Sequence, residues 1–214
     1  MEEFESEDQQ VEAVKKWWKE NGASLLLGLG IGVGALLGWR EYMSYQTEHS
    51  AEASDLYQAV QTQVANNRLD DAHIQKADLI RNDYADTPYA ALVSMTQAKY
   101  EYDTGDVESA LMHLRWASEN ATENDVQHVA SLRLARILLA QNKYDEVESL
   151  LLAAYPAGFT SGYEELKGDL YVARGEIAQA RVAYDKAINA ADGNPSRWLI
   201  LKRQDLGSSD LDKS

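Results

Sequence analysis

"VARGEIAQARVAYDKA" (Val172–Ala187) decides the fold. Gly175 interrupts two apolar-periodic stretches. After it Ile177, Ala180, Tyr184 and Ala187 return at offsets of two, five, nine and twelve, which is helical spacing. The same register recurs in "DTGDVESALMHLRWA" (Asp103–Ala117) and "AQNKYDEVESLLLAA" (Ala140–Ala154). Gly105 and Asn142 then coincide with Gly175, followed by Val107 and Tyr144, Ala110 and Val147, Leu114 and Leu151, Ala117 and Ala154.

A turn residue followed by small and large apolar residues at these offsets is the tetratricopeptide pattern. The turn residues lie 37 and 33 positions apart, bracketing the ~34 residues usual for this repeat. Gly168 and Tyr171 complete the third copy, and Asn67, Leu69 and Ala72 form a degenerate earlier one, giving roughly four helix pairs. Small residues let antiparallel helices approach closely, while larger ones fill the groove toward the next pair. Glycine, or asparagine as second choice, suits the left-handed position that ends a helix.

Start signals are read at Thr87-Pro88, at Asn194-Pro195, and in a capping box from Ser161 to Glu164. "RWLILKRQDL" (Arg197–Leu206) is expected to be a helix that covers the open core of the last repeat, followed by a frayed tail over residues 207–214. The predicted fold is all-α, an N-terminal single transmembrane helix followed by a tetratricopeptide-like α-solenoid of helix pairs with a C-terminal capping helix.

The transmembrane element is "NGASLLLGLGIGVGALLGW" (Asn21–Trp39), which contains no charge. At 1.5 Å per residue it reaches roughly 28 Å, about the hydrocarbon thickness of a bilayer. Trp17 and Trp18 before it, and Trp39 and Tyr42 at its other end, are aromatic anchors for the two interfaces. Two other readings fail. Gly30 to Ala35 formally satisfies GxGxx[GA], but the preceding "VEAVKKWWKEN" is charged and helical rather than a buried strand. A cleavable signal sequence needs a basic start and a small-residue cleavage site, whereas the first twelve residues are acidic.

Lys15, Lys16 and Lys19 precede the span and only Arg40 closely follows it, so the positive-inside rule places the N-terminus in the cytoplasm. The expected organisation is a cytoplasmic acidic tail with a short amphipathic segment (1–20), the membrane helix (21–41), a periplasmic repeat domain (42–206) and the tail. No proline or glycine separates the stripe Tyr42, Tyr45, His49, Ala53, Tyr57, Val60 and Val64 from the anchor, so the membrane helix is expected to run on or to hinge only briefly. Gly28 and Gly32, and Gly30, Gly34 and Gly38, recur every four residues and form a candidate helix-packing face in lipid.

Composition narrows function. A net charge of −15 argues against a nucleic-acid partner, which would need lysine and arginine to displace counterions. There is no cysteine, and the four histidines (His49, His73, His113, His128) are scattered without metal-ligand spacing. Acidic residues such as Asp145, Glu146 and Glu148 read as a solvated helix face, and there is no GxSxG motif, no GK[ST] loop and no serine next to a plausible base. The chain is therefore expected not to be an enzyme and to need no cofactor, metal or small-molecule substrate. Tetratricopeptide scaffolds present a concave groove made by the first helix of each pair. Candidate groove residues are Tyr100, Tyr102, Arg133 and Arg136, the tyrosines being open to either a ligand-contact or a repeat-core role.

"VEAVKKWWKENG" (Val11–Gly22) running into "GVGALLGWR" (Gly32–Arg40), followed by degenerate repeats, resembles the YfgM family, the ancillary SecYEG translocon subunit of Gram-negative bacteria. The resemblance spans essentially the whole chain and is most specific from Val11 to Arg40. It implies a single-pass inner-membrane subunit associated with SecYEG and with the periplasmic chaperone PpiD, passing newly translocated proteins onward. It carries no catalytic residues. It also implies an alternative role in envelope-stress regulation, in which the acidic segment Met1–Glu12 engages a cytoplasmic response regulator. A divisome or envelope-assembly scaffold is a further option, and membrane lipid is an expected partner in each case.

Overall fold

The computed structural model describes residues 7–207 of the chain. These contain nine α-helices and no strand: α1 (Glu7–Ala65), α2 (Asp71–Asp83), α3 (Pro88–Thr104), α4 (Val107–Asn120), α5 (Asn124–Ala140), α6 (Tyr144–Leu151), α7 (Thr160–Ala173), α8 (Ile177–Asn189) and α9 (Arg197–Asp205). A 3-10 turn, Ala157–Phe159, precedes α7. The segment Met1–Ser6 of the acidic tail and residues 208–214 of the expected frayed tail lie outside the described residues.

The repeat is visible first in the backbone. Asn67, Gly105, Asn142 and Gly175 all have positive φ, at 53°, 93°, 58° and 78°. Each donates its N–H to the carbonyl three residues back, and the following residue donates to the carbonyl five back. Asp106 N reaches Glu101 O at 2.8 Å, Lys143 N reaches Leu138 O at 2.9 Å and Glu176 N reaches Tyr171 O at 2.8 Å. Arg68 N and Gln63 O close the same ring after α1 at 2.9 Å. This paired closure satisfies the last carbonyls of a helix and requires a left-handed residue, which explains the Gly/Asn alternation.

Between the turns, small residues sit at the crossings. Ala110 and Ala117 of α4 and Ala180 and Ala187 of α8 are fully buried. The closest approach is at Gly168 of α7, where the Tyr184 ring of α8 lies over the backbone; a methyl at Gly168 would lie 2.3 Å from Tyr184 Cε1. One core cluster joins α3 to α7 through residues such as Met95, Leu114, Leu134, Leu138, Val147 and Leu166. A second gathers Val60 with Ala77, Ile80, Ala90 and Val93, flanked by Leu56, Tyr57 and Val64 of α1. A third closes the C-terminal end, where Leu199 of α9 packs with Tyr184 and Ala187 of α8. Lys202 holds Glu165 and Asp169, each at 2.8 Å, so α9 caps the last repeat as expected.

Four local expectations are corrected. Ala154 is exposed and outside any helix, because α6 stops at Leu151, ahead of Pro156; proline removes a donor and biases its predecessor to extended backbone. The cap of α9 is Ser196, not Asn194: its Oγ accepts from Leu199 N at 3.1 Å. Ser161 lies inside α7 rather than before it, and Glu164 turns to Tyr155 and Lys167 instead of closing a capping box. Thr87 occupies the N-cap of α3 with Pro88 next to it, but its hydroxyl donates back to Tyr84 O at 2.7 Å. Caps that the sequence reading passed over are Asp70, accepting from His73 N, and Asp106, accepting from Ser109 N.

The chain divides into two compact units, residues 1–51 and 52–214. The first consists of the N-terminal part of α1, and α1 is, among the described residues, the one helix long and apolar enough to cross a membrane. Leu25, Leu26, Leu27, Leu29, Ile31, Leu36 and Leu37 are all about half exposed or more. A soluble helix would bury such a surface, whereas a lipid-facing one need not. The Trp18 ring folds back over Gly22, and the Trp39 and Tyr42 rings meet at 6.2 Å. Nothing lies within 4 Å of a methyl placed on Gly28, Gly30, Gly32, Gly34 or Gly38, so these glycines border open surface.

Candidate protein-interaction groove

Within the second unit α3 pairs with α4, α5 with α6 and α7 with α8, while Val60 near the end of α1 packs among residues of α2 and α3. Helices α1, α3 and α5 line a cleft of about 510 Å³. Tyr57, Gln61 and Val64 of α1, Leu92, Met95, Lys99 and Tyr100 of α3 and Arg133 of α5 form its walls. An adjoining cleft of about 370 Å³ carries on between α3 and α5, lined by Met95, Lys99, Tyr102, Arg133, Arg136 and Ile137. Met95, Lys99 and Arg133 belong to both, so the two clefts are parts of one groove.

All four sequence-selected residues therefore border it. Tyr100 and Arg133 stand in the first cleft, and Tyr102, Arg133 and Arg136 in the second. Tyr102 is 44% exposed and Tyr100 is half-buried, so neither is a fully enclosed core residue. Sequence reasoning missed Met95 and Lys99. A signal existed, since Leu92, Met95, Lys99 and Tyr102 share one face of α3 at spacings of three and four.

The groove's charges are distinctive. Arg81, Arg115, Arg174 and Arg203 each hold a carboxylate of this chain. Among the described residues Arg133 reaches only the Met95 sulfur, at 3.6 Å, and Arg136 has no acceptor. Lys99 pairs with Asp103 one turn on.

Other polar clusters in the domain are largely satisfied internally, with Glu101 Oε2 the one buried side-chain oxygen among the described residues that has no hydrogen-bond partner. Burial favours the neutral form of Glu164, but hydrogen bonds from Lys167 (2.7 Å) and Tyr155 (3.0 Å) outweigh it and hold the carboxyl below its ordinary range. Lys167 is correspondingly raised, since its hydrogen bonds to Glu164 and Tyr155 overcome its own desolvation. His128 Nδ1 meets the Tyr163 hydroxyl at 2.9 Å, and His113 Nε2 meets Glu101 Oε1 at 3.3 Å. Glu146 holds Arg115 and Glu148 holds Arg174 across the helix surface. Among the described residues no three metal-ligating side chains converge. What the domain offers is a mixed apolar and cationic groove suited to a polypeptide segment.

Comparison with known proteins places this arrangement. Residues 15–208 match the family model of the tetratricopeptide repeat-like domain. The chain is 31% identical over 190 residues to the ancillary SecYEG translocon subunit of Escherichia coli K12, covering 89% of this chain and 91% of that one. It is 27% identical to the protein of the same name from Haemophilus influenzae, with 94% and 97% covered. The Neisseria gonorrhoeae protein of that name is also 27% identical, with 85% and 87% covered. No solved structure matches.

Proposed function

Since the chain belongs to the tetratricopeptide repeat-like family of ancillary SecYEG translocon subunits, we propose that it is a non-catalytic inner-membrane scaffold of the SecYEG translocon. In this reading residues 1–20 are cytoplasmic, residues 21–41 span the lipid bilayer and residues 42–206 form a periplasmic docking domain. The lysines at 15, 16 and 19, against the single Arg40, support that orientation. The domain hands newly translocated proteins to a periplasmic chaperone such as PpiD.

The observation that carries the proposal is the pairing, in one chain, of an exposed apolar helix of membrane length with a groove lined by α1, α3 and α5. Lipid gives helices no hydrophobic gain on pairing, so the backbone surface opened by Gly28, Gly30, Gly32, Gly34 and Gly38 supplies close contact to a partner helix. Photocrosslinking from positions along 28–38 and from the groove, in membranes, should capture translocon and chaperone subunits. Absence of both would overturn the scaffold reading. Gly34→Ile should reduce co-purification of the membrane partner while insertion is retained; unchanged recovery would remove the glycine face from it.

A second reading rests on the acidic composition of Met1–Glu12, which would engage a cytoplasmic response regulator. Deletion of residues 2–10 separates the two. The scaffold role predicts unchanged translocon and chaperone recovery, and the regulatory role predicts altered envelope-stress signalling.

A further inference from the structure

We infer that the groove between α1, α3 and α5 recognises an acidic, partly apolar peptide segment of a partner protein, with Arg133 and Arg136 as the two carboxylate-binding groups. The inference deepens the scaffold reading and rests on it.

Charge selects the occupant. The chain carries 35 acidic against 20 basic residues, yet the groove inverts that balance. Its walls hold Lys99, Arg133 and Arg136 against the single carboxylate of Asp103, which Lys99 already engages. Among the described residues Arg133 and Arg136 have no carboxylate partner, and their place side by side in this groove leaves them open to an external anion. Arginine presents a planar donor fork that matches a carboxylate in two parallel hydrogen bonds.

Spacing favours an extended segment. Arg133 and Arg136 are three residues apart on α5, so they emerge on one face with a rise of about 4.5 Å between them. Two carboxylates at alternate positions of an extended peptide lie about 6.8 Å apart on one side, within reach of two long, flexible arginines. The intervening and flanking side chains meet Tyr57, Leu92, Met95 and Tyr102, which line the same two clefts. Repulsion from the chain's net negative charge does not defeat this contact. At physiological salt it is screened over about 8 Å, whereas the guanidinium contacts act at hydrogen-bond distance.

The test uses the full chain in a nonionic detergent and fluorescence anisotropy with three labelled peptides. One has two alternate glutamates flanked by leucine and phenylalanine, one replaces the glutamates by glutamine, and one replaces them by lysine. The glutamate peptide should bind about five- to tenfold more tightly than the glutamine peptide, and that preference should shrink as salt is raised. The lysine peptide should bind weakest. The double variant Arg133→Gln, Arg136→Gln should abolish the preference for glutamate, so that the glutamate and glutamine peptides bind it equally. Among the described residues neither arginine has a polar partner other than the Met95 sulfur, and glutamine is a comparable helix former, so the variant should melt with the parent. Equal binding of the glutamate and glutamine peptides by the parent, or a preference that persists in the double variant, overturns the inference. Either result leaves translocon co-purification, and hence the scaffold reading, to be judged by the crosslinking experiment.

Discussion

Gly168→Ala should destabilise the repeat domain although it replaces the poorest ordinary helix former with the best one. The gain from propensity alone is about 1 kcal/mol. Against it, the new methyl would sit 2.3 and 2.4 Å from Tyr184 Cε1 and Cδ1, where carbon pairs settle at about 3.5 to 4 Å. The ring must therefore retreat by more than an ångström, and it has little freedom to do so. It is 2% exposed, and its hydroxyl donates to Asp169 at 2.7 Å. That carboxylate also holds Lys202 of the capping helix. Overpacking of this kind costs about 1 to 3 kcal/mol, and breaking the tyrosine hydrogen bond adds about 1. The net expectation is a loss of about 1 to 3 kcal/mol, which at this chain length lowers Tm by roughly 3 to 9 °C. Thermal unfolding of the detergent-solubilised chain by far-UV circular dichroism reads it, with amide exchange in α7 and α8 locating the effect. Gly158→Ala is the control, since nothing lies within 4 Å of its added methyl, and it should stay within about 0.5 kcal/mol of the parent. In a Tyr184→Leu background the clash is relieved, and Gly168→Ala should become neutral or stabilising by up to about 1 kcal/mol. A parent background in which Gly168→Ala raises Tm would refute the close-packing account.

At the turn after α5, Asn142→Ala should cost about 1 kcal/mol because φ there is 58°, while Asn142→Gly should be neutral or slightly stabilising in the same melt. Ser196→Ala should cost about 1 kcal/mol and speed amide exchange at the start of α9, whereas Asn194→Ala should leave exchange in α9 unchanged. The Glu164–Lys167 pair sets a pH window. Glu164's depressed folded pKa means its contribution is full above its unfolded value near 4.3 and is lost as pH falls through the lower folded value. Lys167, raised, contributes fully below its unfolded value near 10.4 and loses that contribution as pH rises through its folded value. In urea unfolding the pair's contribution should be full and independent of pH around neutrality, and Glu164→Gln should reduce the acid loss of stability.

The parts of the fold legible in the sequence are those where backbone geometry restricts residue type. A left-handed residue after each first helix leaves a glycine or asparagine behind, and four of them, Asn67, Gly105, Asn142 and Gly175, carry the repeat even where the intervening residues have diverged. Gly168 was legible for a related reason, since the large Tyr184 ring leaves no room there for a side chain. Features that several residue types satisfy were read less well. Ser196 and Asn194 are both competent caps, and only the path of the chain past Pro195 decides between them. Ala154 fell at the aligned offset because alignment assumes equal helices, but Pro156 follows too soon and α6 is only eight residues long.

The groove shows the same division. Arg133 and Arg136 could be placed on the exposed phase of α5 from spacing alone, yet their lack of carboxylate partners depends on neighbours supplied by other helices. Met95 and Lys99 become common walls of both clefts only when α1, α3 and α5 are laid side by side. Helical phase in sequence tells which residues leave a helix surface, whereas stacking of the pairs decides what they face. The distinction is visible elsewhere in this acidic chain, where Arg115 and Arg174 cross to carboxylates on a neighbouring repeat. In the groove Arg133 and Arg136 stand beside Tyr57, Leu92, Met95 and Tyr102, and the one lining carboxylate, Asp103, is engaged by Lys99, so this cationic pair is left open.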